Sequence, residues 1–83
     1  MATMISPDGG STVWRSATYT LKVKDSKDDN KSVYGYANNT NNRLNNLSGV
    51  GTTVQKTYGF KITAVQACTD IPLASDPCSD WGL

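Results

Sequence analysis

The chain has 83 residues, of which 37% are hydrophobic, and its eight basic and seven acidic side chains leave a formal charge of +1. This length suits one domain near the lower limit for a self-sufficient hydrophobic core. The dispersed, balanced charge argues against nucleic-acid binding, and no apolar run is long enough to span a membrane. We therefore expect a single domain over residues 1–83, with neither nucleic acid nor a membrane as its partner.

The composition also favours strands over helices. The sequence has no histidine and no glutamate, and it is rich in serine, threonine and asparagine. Strong helix formers are therefore scarce, whereas residues typical of strands and turns are plentiful. The predicted fold class is all-β, a small antiparallel β-sandwich or a twisted sheet of about five strands.

The N-terminal residues 1–11 are predicted to form an extended arm. They read MATMISPDGGS and lack the basic and apolar regions of a signal peptide. We expect the first four residues to derive in part from expression of the protein, and we expect any export leader to have been removed from the chain as given.

The next segments alternate between apolar and polar side chains. Residues 12–25, TVWRSATYTLKVKD, place Val13, Leu21 and Val23 on one side. Such a period of two predicts a single half-buried strand. The turn formers DSKDDNK follow, and residues 32–38, SVYGYAN, resume an extended pattern. The two extended segments are predicted to pair as an antiparallel hairpin.

The asparagine-rich stretch from Asn38 to Gly51 is predicted to be an ordered loop, because asparagine resists helix formation. Three regularly spaced apolar residues would anchor it: Leu44, Leu47 and Val50. Residues 52–68 then indicate one long bent strand, or two strands that meet near Tyr58 and Gly59. The apolar residues near its end lie on both faces, as in a strand that is covered on both sides.

The only two cysteines lie close together at the end of the chain. Cys68 ends the last predicted strand, and Cys78 follows after a stretch that contains two prolines. We predict a disulfide between them, which implies an oxidising compartment, because two cysteines without histidine cannot supply a four-ligand zinc site. The disulfide would hold Trp81 against the sheet, where its indole either packs on an end of the core or serves as a ligand platform.

Several segments together resemble small secreted proteins of actinobacteria such as streptomycetes. They are the strand that ends in Cys68, DPCSDW at residues 76–81, VKDSKDDNKSVYGY at residues 23–36 and LSGVGTT at residues 47–53. The resemblance implies an extracellular location and a compact disulfide-bonded β fold, and it implies no enzymatic activity. Some small secreted actinobacterial proteins are adaptors in toxin particles or inhibitors of hydrolases, and the resemblance extends to that class of role.

Enzymatic chemistry has little support in the sequence. Without histidine there is no Ser-His-Asp or Cys-His arrangement, and bonded cysteines leave no thiolate nucleophile. Three aspartates crowd one turn, at Asp25, Asp28 and Asp29, but they miss the order of a calcium-binding loop, and neighbouring lysines oppose a cation. We expect no catalytic residues, no metal and no cofactor. A hydrolase that uses a pair of aspartates ranks only third among the functions considered.

Two kinds of binding surface remain. The preferred hypothesis is a secreted adaptor or inhibitor that contacts another extracellular protein through the asparagine-rich loop, with the contact residues Arg43, Asn45, Asn46 and Leu47. The alternative is a carbohydrate-binding module that stacks a polysaccharide on an aromatic strip formed by Trp14, Tyr34 and Tyr36. An aromatic row exposed on one flat face would favour the sugar hypothesis, and a protruding ordered loop would favour the protein hypothesis.

Overall fold

The computed structural model describes residues 2–83, and the regular structure in this range is all β. Seven strands form two antiparallel sheets. Sheet A has four strands in the order β1-β2-β3-β6, and sheet B has three in the order β5-β4-β7. The strands are β1 Met4–Ile5, β2 Ser11–Ala17, β3 Thr20–Asp25, β4 Val33–Ala37, β5 Asn39–Asn46, β6 Thr53–Thr57 and β7 Val65–Thr69. The predicted all-β sandwich is confirmed, with seven strands instead of about five.

The predicted single strand over residues 12–25 is a hairpin instead. Strands β2 and β3 pair with Val13 opposite Val23, and the chain reverses at the two residues Thr18 and Tyr19. Neither turn residue is a glycine, proline, asparagine or aspartate, so the sequence gives no turn signal. The apolar alternation also keeps the same phase on both sides of the turn, which made two strands look like one.

The predicted hairpin between residues 12–25 and 32–38 is also wrong. Strand β3 pairs with β2 and β6 in sheet A, whereas β4 pairs with β5 and β7 in sheet B. Residues 26–32 therefore carry the chain from one sheet to the other. Their length and polarity suit a crossing at the edge of a sandwich as well as they suit a hairpin turn.

Most of the predicted loop from Asn38 to Gly51 is strand β5, the longest strand of the protein. Asparagine has a low strand propensity, but pairing with β4 at Asn39 and from Arg43 to Asn46, with a register irregularity between them, overrides it. Leu44 packs against the core, whereas Leu47 is 75% exposed and Val50 is 49% exposed. Two of the three predicted apolar anchors are therefore solvent-exposed, and only residues 47–52 form a loop.

The two sheets pack face to face over a small apolar core. Sheet A contributes Val13, Leu21 and Val23, and sheet B contributes residues of β4 and β7, all nearly fully buried. Gly35 in β4 points into this core, where a Cβ atom would lie within 2.9 Å of methyl groups of Val13 and Val23. The close approach of the sheets therefore depends on a residue without a side chain at this position.

The segment after β5 resolves into two strands, as one of the two predicted alternatives proposed. Strand β6 belongs to sheet A and ends at Thr57, whereas β7 belongs to sheet B and begins at Val65. Val65 and Ala67 face the core, while Cys68 lies on the opposite side of the strand beneath the C-terminal tail, and all three are fully buried. The expectation that this strand is covered on both sides is confirmed.

The N-terminal residues form part of the fold and extend less far than the predicted arm. Strand β1 pairs with β2, and Ser11 already belongs to β2. Between them, the Asp8 carboxylate accepts hydrogen bonds from the hydroxyls of Ser6 and Thr69 at 2.6 and 2.9 Å. Burial by itself raises the pKa of Asp8, but these hydrogen bonds and one from Gly10 N–H outweigh it and lower the pKa. This network joins the N-terminal segment to β7 in the other sheet.

The predicted disulfide between Cys68 and Cys78 is present. It fastens the C-terminal tail, residues 77–83, along the open side of β7. Within this tail Ser79 N–H donates to Ala67 C=O, and Val65 and Gly82 exchange both backbone hydrogen bonds. The tail therefore acts as a short, interrupted fourth strand of sheet B.

Candidate aromatic binding face

Strand β4 presents two tyrosines on the outer face of sheet B. Because side chains alternate along a strand, the inward position of Gly35 places Tyr34 and Tyr36 on the side away from the core. Their rings meet edge to face, with centroids 5.4 Å apart. Tyr34 is only 3% exposed, whereas Tyr36 is partly accessible to solvent.

The neighbouring edge strand β5 adds a cation and an amide to the same face. The register places Arg43 opposite Tyr36, and Asn45 opposite Tyr34. The guanidinium carbon of Arg43 lies 3.5 Å from the centroid of the Tyr34 ring, and its Nε donates to Asn45 Oδ1 at 2.8 Å. A cation–π contact and a hydrogen bond thus hold the guanidinium over the Tyr34 ring, and its two terminal nitrogens make no hydrogen bond to another of residues 2–83.

The C-terminal tail supplies the third part of this face. The Trp81 indole stacks on Tyr36 with ring centroids 6.1 Å apart and an angle of 28° between the planes. Trp81 remains 36% exposed. Its predicted contact with the sheet is present, but it lies on the outer face and does not plug an end of the core. The tail runs beside β7, so the indole is delivered to the outside of sheet B.

Asp76, in the loop that the disulfide closes, contacts Tyr34. The Tyr34 hydroxyl donates to the Asp76 carboxylate, which also accepts the Ile71 N–H at 2.9 Å. Burial, followed by the hydrogen bond to Asp76, raises the pKa of Tyr34 above its usual range. The hydrogen bond from Tyr34 lowers the pKa of Asp76. At neutral pH the tyrosine is therefore a neutral donor and the aspartate is ionised and already engaged.

We call this surface the aromatic face, defined by Tyr34, Tyr36, Arg43, Asn45 and Trp81. It combines a single stacked pair of partly exposed rings, which is not an aromatic row, with a guanidinium on the outer side of sheet B. Such a surface can stack, donate hydrogen bonds and attract anions. Its groups provide no activated nucleophile.

The structure brings together some of the predicted binding residues and separates others. Arg43 and Asn45 share the aromatic face, and the exposed Leu47 follows directly after β5. Asn46 cannot project to a partner, because it is fully buried. Its side-chain NH₂ donates to the carbonyls of Val23 and Thr52 at 3.1 and 2.9 Å, so it links the two sheets.

The predicted strip of Trp14, Tyr34 and Tyr36 does not exist. Trp14 lies in β2, on the outer face of sheet A, whereas the tyrosines lie on the outer face of sheet B. The sandwich core separates them, since the predicted hairpin that would have joined them is absent. Trp81 takes the place of Trp14 beside Tyr36. The sequence feature that indicates the contact between Trp81 and sheet B is the predicted disulfide, because it holds the tail against the sheet.

The aspartates near residue 28 lie apart from the aromatic face. Asp25 is buried, and its carboxylate accepts the Lys27 N–H at 3.4 Å. Asp28 lines a pocket of about 310 Å³ between residues 26–32 and 47–52, together with two lysines and the exposed Leu47 and Val50. Among residues 2–83, no group of three or more histidine, cysteine or acidic side chains is placed to hold a metal ion.

The disulfide is consistent with an oxidising environment. None of the described residues forms a helix that is long and apolar enough to cross a membrane. Comparisons of the chain with protein-family models, with curated proteins and with solved structures found no significant match.

Proposed function

We propose that this protein is a secreted, non-enzymatic binding module that contacts another extracellular protein through the aromatic face. The main support is the arrangement of Arg43, which lies over the Tyr34 ring and donates to Asn45 beside the partly exposed Tyr36 and Trp81 pair. The disulfide supports export, and the resemblance to small secreted actinobacterial proteins supports an adaptor or inhibitor role.

The residue types of the aromatic face suit a protein partner. Tryptophan, tyrosine and arginine are enriched among the few hot-spot residues that dominate binding energy and cluster near the centre of protein interfaces. The side chains are also held in place before binding, since Arg43 has two fixed contacts and Trp81 rests on a tyrosine. Pre-ordered side chains lose less entropy on association, so more of the contact energy appears as affinity.

The test is the double variant Arg43→Ala with Asn45→Ala, measured by calorimetry against the natural partner. Binding should weaken by more than about 1 kcal/mol, because truncated hot-spot residues typically cost at least that much. The matched control is Lys22→Ala with Gln55→Ala, a cation and an amide paired on neighbouring strands of sheet A. Equal weakening by both double variants would contradict the proposal.

A carbohydrate ligand is the second candidate, and the half-exposed Tyr36 and Trp81 pair favours it. Sugar rings stack on aromatic side chains, and Gln66 lies opposite Tyr36 in sheet B, where its side-chain oxygen is an acceptor for a sugar hydroxyl while its NH₂ donates to Ser79 C=O. Affinity electrophoresis in gels containing soluble polysaccharides tests this function. Retardation that Trp81→Ala abolishes and that Arg43→Ala leaves unchanged would favour the sugar over the protein.

A further inference from the structure

Three of the four sheet edges of the sandwich are short, covered or carry a lysine. In sheet B the C-terminal tail and the disulfide cover the open side of β7. In sheet A the edge strand β1 has two residues, and the five-residue edge strand β6 carries Lys56. Short edges, covering segments and lysines are the usual protections against pairing with another chain.

Strand β5 is the remaining edge, and neither a covering segment nor a lysine protects it. It is eight residues long, pairs only with β4 and contains no proline, although its register with β4 is irregular between Asn39 and Arg43. In an antiparallel pair, alternate residues of an edge strand direct their N–H and C=O groups away from the neighbouring strand. The side chain of Asn39 satisfies Asn41 N–H locally, so the open part of the edge is residues 42–46.

We propose that this open edge of β5 binds an extended segment of a partner protein, which adds a strand to sheet B beside β5. The inference rests on the proposed protein-binding function and specifies how the partner is recognised. Backbone hydrogen bonds along an added strand supply affinity, and its alternating side chains supply specificity.

The side chains around the edge define the chemistry of the partner strand. On the outer face the added residues would lie beside Arg43, an exposed cation, and this favours an acidic residue. On the inner face they would lie against Leu44 and Val54, which are only partly buried. Leu47, 75% exposed at the end of β5, offers a further apolar contact. The partner segment is therefore an amphipathic strand with acidic residues on one side and apolar residues on the other.

The probe for this site is the capped heptapeptide Thr-Val-Glu-Val-Glu-Val-Thr, titrated into ¹⁵N-labelled protein. Binding should shift the amides of residues 42–47 and slow their hydrogen exchange. The same peptide with lysine in place of both glutamates should bind at least about tenfold more weakly, and Arg43→Glu should reverse that preference. Equal affinity of the two peptides, or shifts centred elsewhere on the protein, would overturn the proposal.

Backbone recognition has its own test. Two methylated peptides are compared, one N-methylated at the three valines and the other at the two glutamates. They lack alternate sets of backbone N–H groups, and only one of these sets faces β5 in an added strand. One methylated peptide should therefore lose binding while the other retains it. Equal binding by both would show that the peptide does not pair as a strand. If the protein without peptide forms a dimer in sedimentation, and the dimer protects the amides of residues 42–46 from hydrogen exchange, the edge binds a second copy of the chain instead of a partner protein.

This experiment also separates the two proposals. The peptides could fail to bind the edge while the Arg43 and Asn45 double variant still binds the natural partner more weakly. That result would contradict only the proposed strand addition. The aromatic face would then remain the proposed contact surface.

Discussion

Removal of the disulfide by Cys68→Ala with Cys78→Ala should destabilise the protein substantially. The two cysteines are separated by ten positions in sequence. The entropy of closing a loop of this size in the unfolded chain corresponds to about 2.7 kcal/mol at 25 °C. A domain of this length has a total stability of roughly 4–12 kcal/mol, so the loss is between about a fifth and two-thirds of the whole.

The midpoint of thermal unfolding should therefore fall by about 10–20 °C, since each kcal/mol corresponds to about 4–8 °C in a domain of this size. Urea unfolding followed by tryptophan fluorescence measures the free energy itself. The control is Leu73→Ala in the same loop, because Leu73 is fully exposed and its truncation should change the stability by less than about 0.5 kcal/mol. A midpoint of the double cysteine variant within 2 °C of wild type would refute the reasoning.

Three further substitutions test the packing and the polar contacts. Gly35→Ala should destabilise by about 1–3 kcal/mol in urea unfolding, because its Cβ would overlap core methyl groups, whereas Gly59→Ala has open space and should not destabilise. Tyr58→Phe should raise stability by about 1 kcal/mol, since the Tyr58 hydroxyl is buried without a hydrogen-bond partner among residues 2–83. A loss of stability would indicate an unseen partner for that hydroxyl. Folding raises the pKa of Tyr34, so its contribution is present below the ordinary value of 10.0 and disappears as pH rises through the folded value. Folding lowers the pKa of Asp76, so its contribution is present above 3.8 and disappears as pH falls through the folded value. Tyr34→Phe should therefore flatten both limbs of the stability–pH curve, and an unchanged curve would contradict the linkage.

The sequence predicted the fold class and the disulfide because both follow from local signals. Alternation in residues 12–25 and in residues 33–37 indicates strands without any knowledge of the pairing. Cys68 lies at the end of a predicted apolar strand, and the prolines before Cys78 allow the chain to return to it. These features need no long-range information.

The sequence does not predict strand β5, because the segment becomes a strand through its tertiary pairing and not through local propensity. Its asparagines have low strand propensity, and pairing with β4 supplies what the propensity lacks. The burial of Asn46 follows from the same fact. In a strand it shares the inner side with Leu44, whereas in a loop it was expected to project.

The candidate site was predicted in part. The sequence predicts Arg43 and Asn45 as exposed polar groups, and they lie on the outer face of sheet B. It predicts Trp14 as the aromatic partner of Tyr36, whereas the partner is Trp81. Which indole meets the tyrosine depends on how the strands divide between two sheets. That division is decided where residues 26–32 cross from sheet A to sheet B, and no residue pattern in this segment distinguishes a crossing from a turn.

Contact of a protein partner with the aromatic face can be measured by amide shift mapping of ¹⁵N-labelled protein with the partner recovered on immobilised wild-type protein. We expect the largest shifts on Tyr36, Arg43 and the Trp81 indole N–H. Shifts centred on Trp14 and Lys22, on the outer face of sheet A, would show that the partner does not bind the aromatic face.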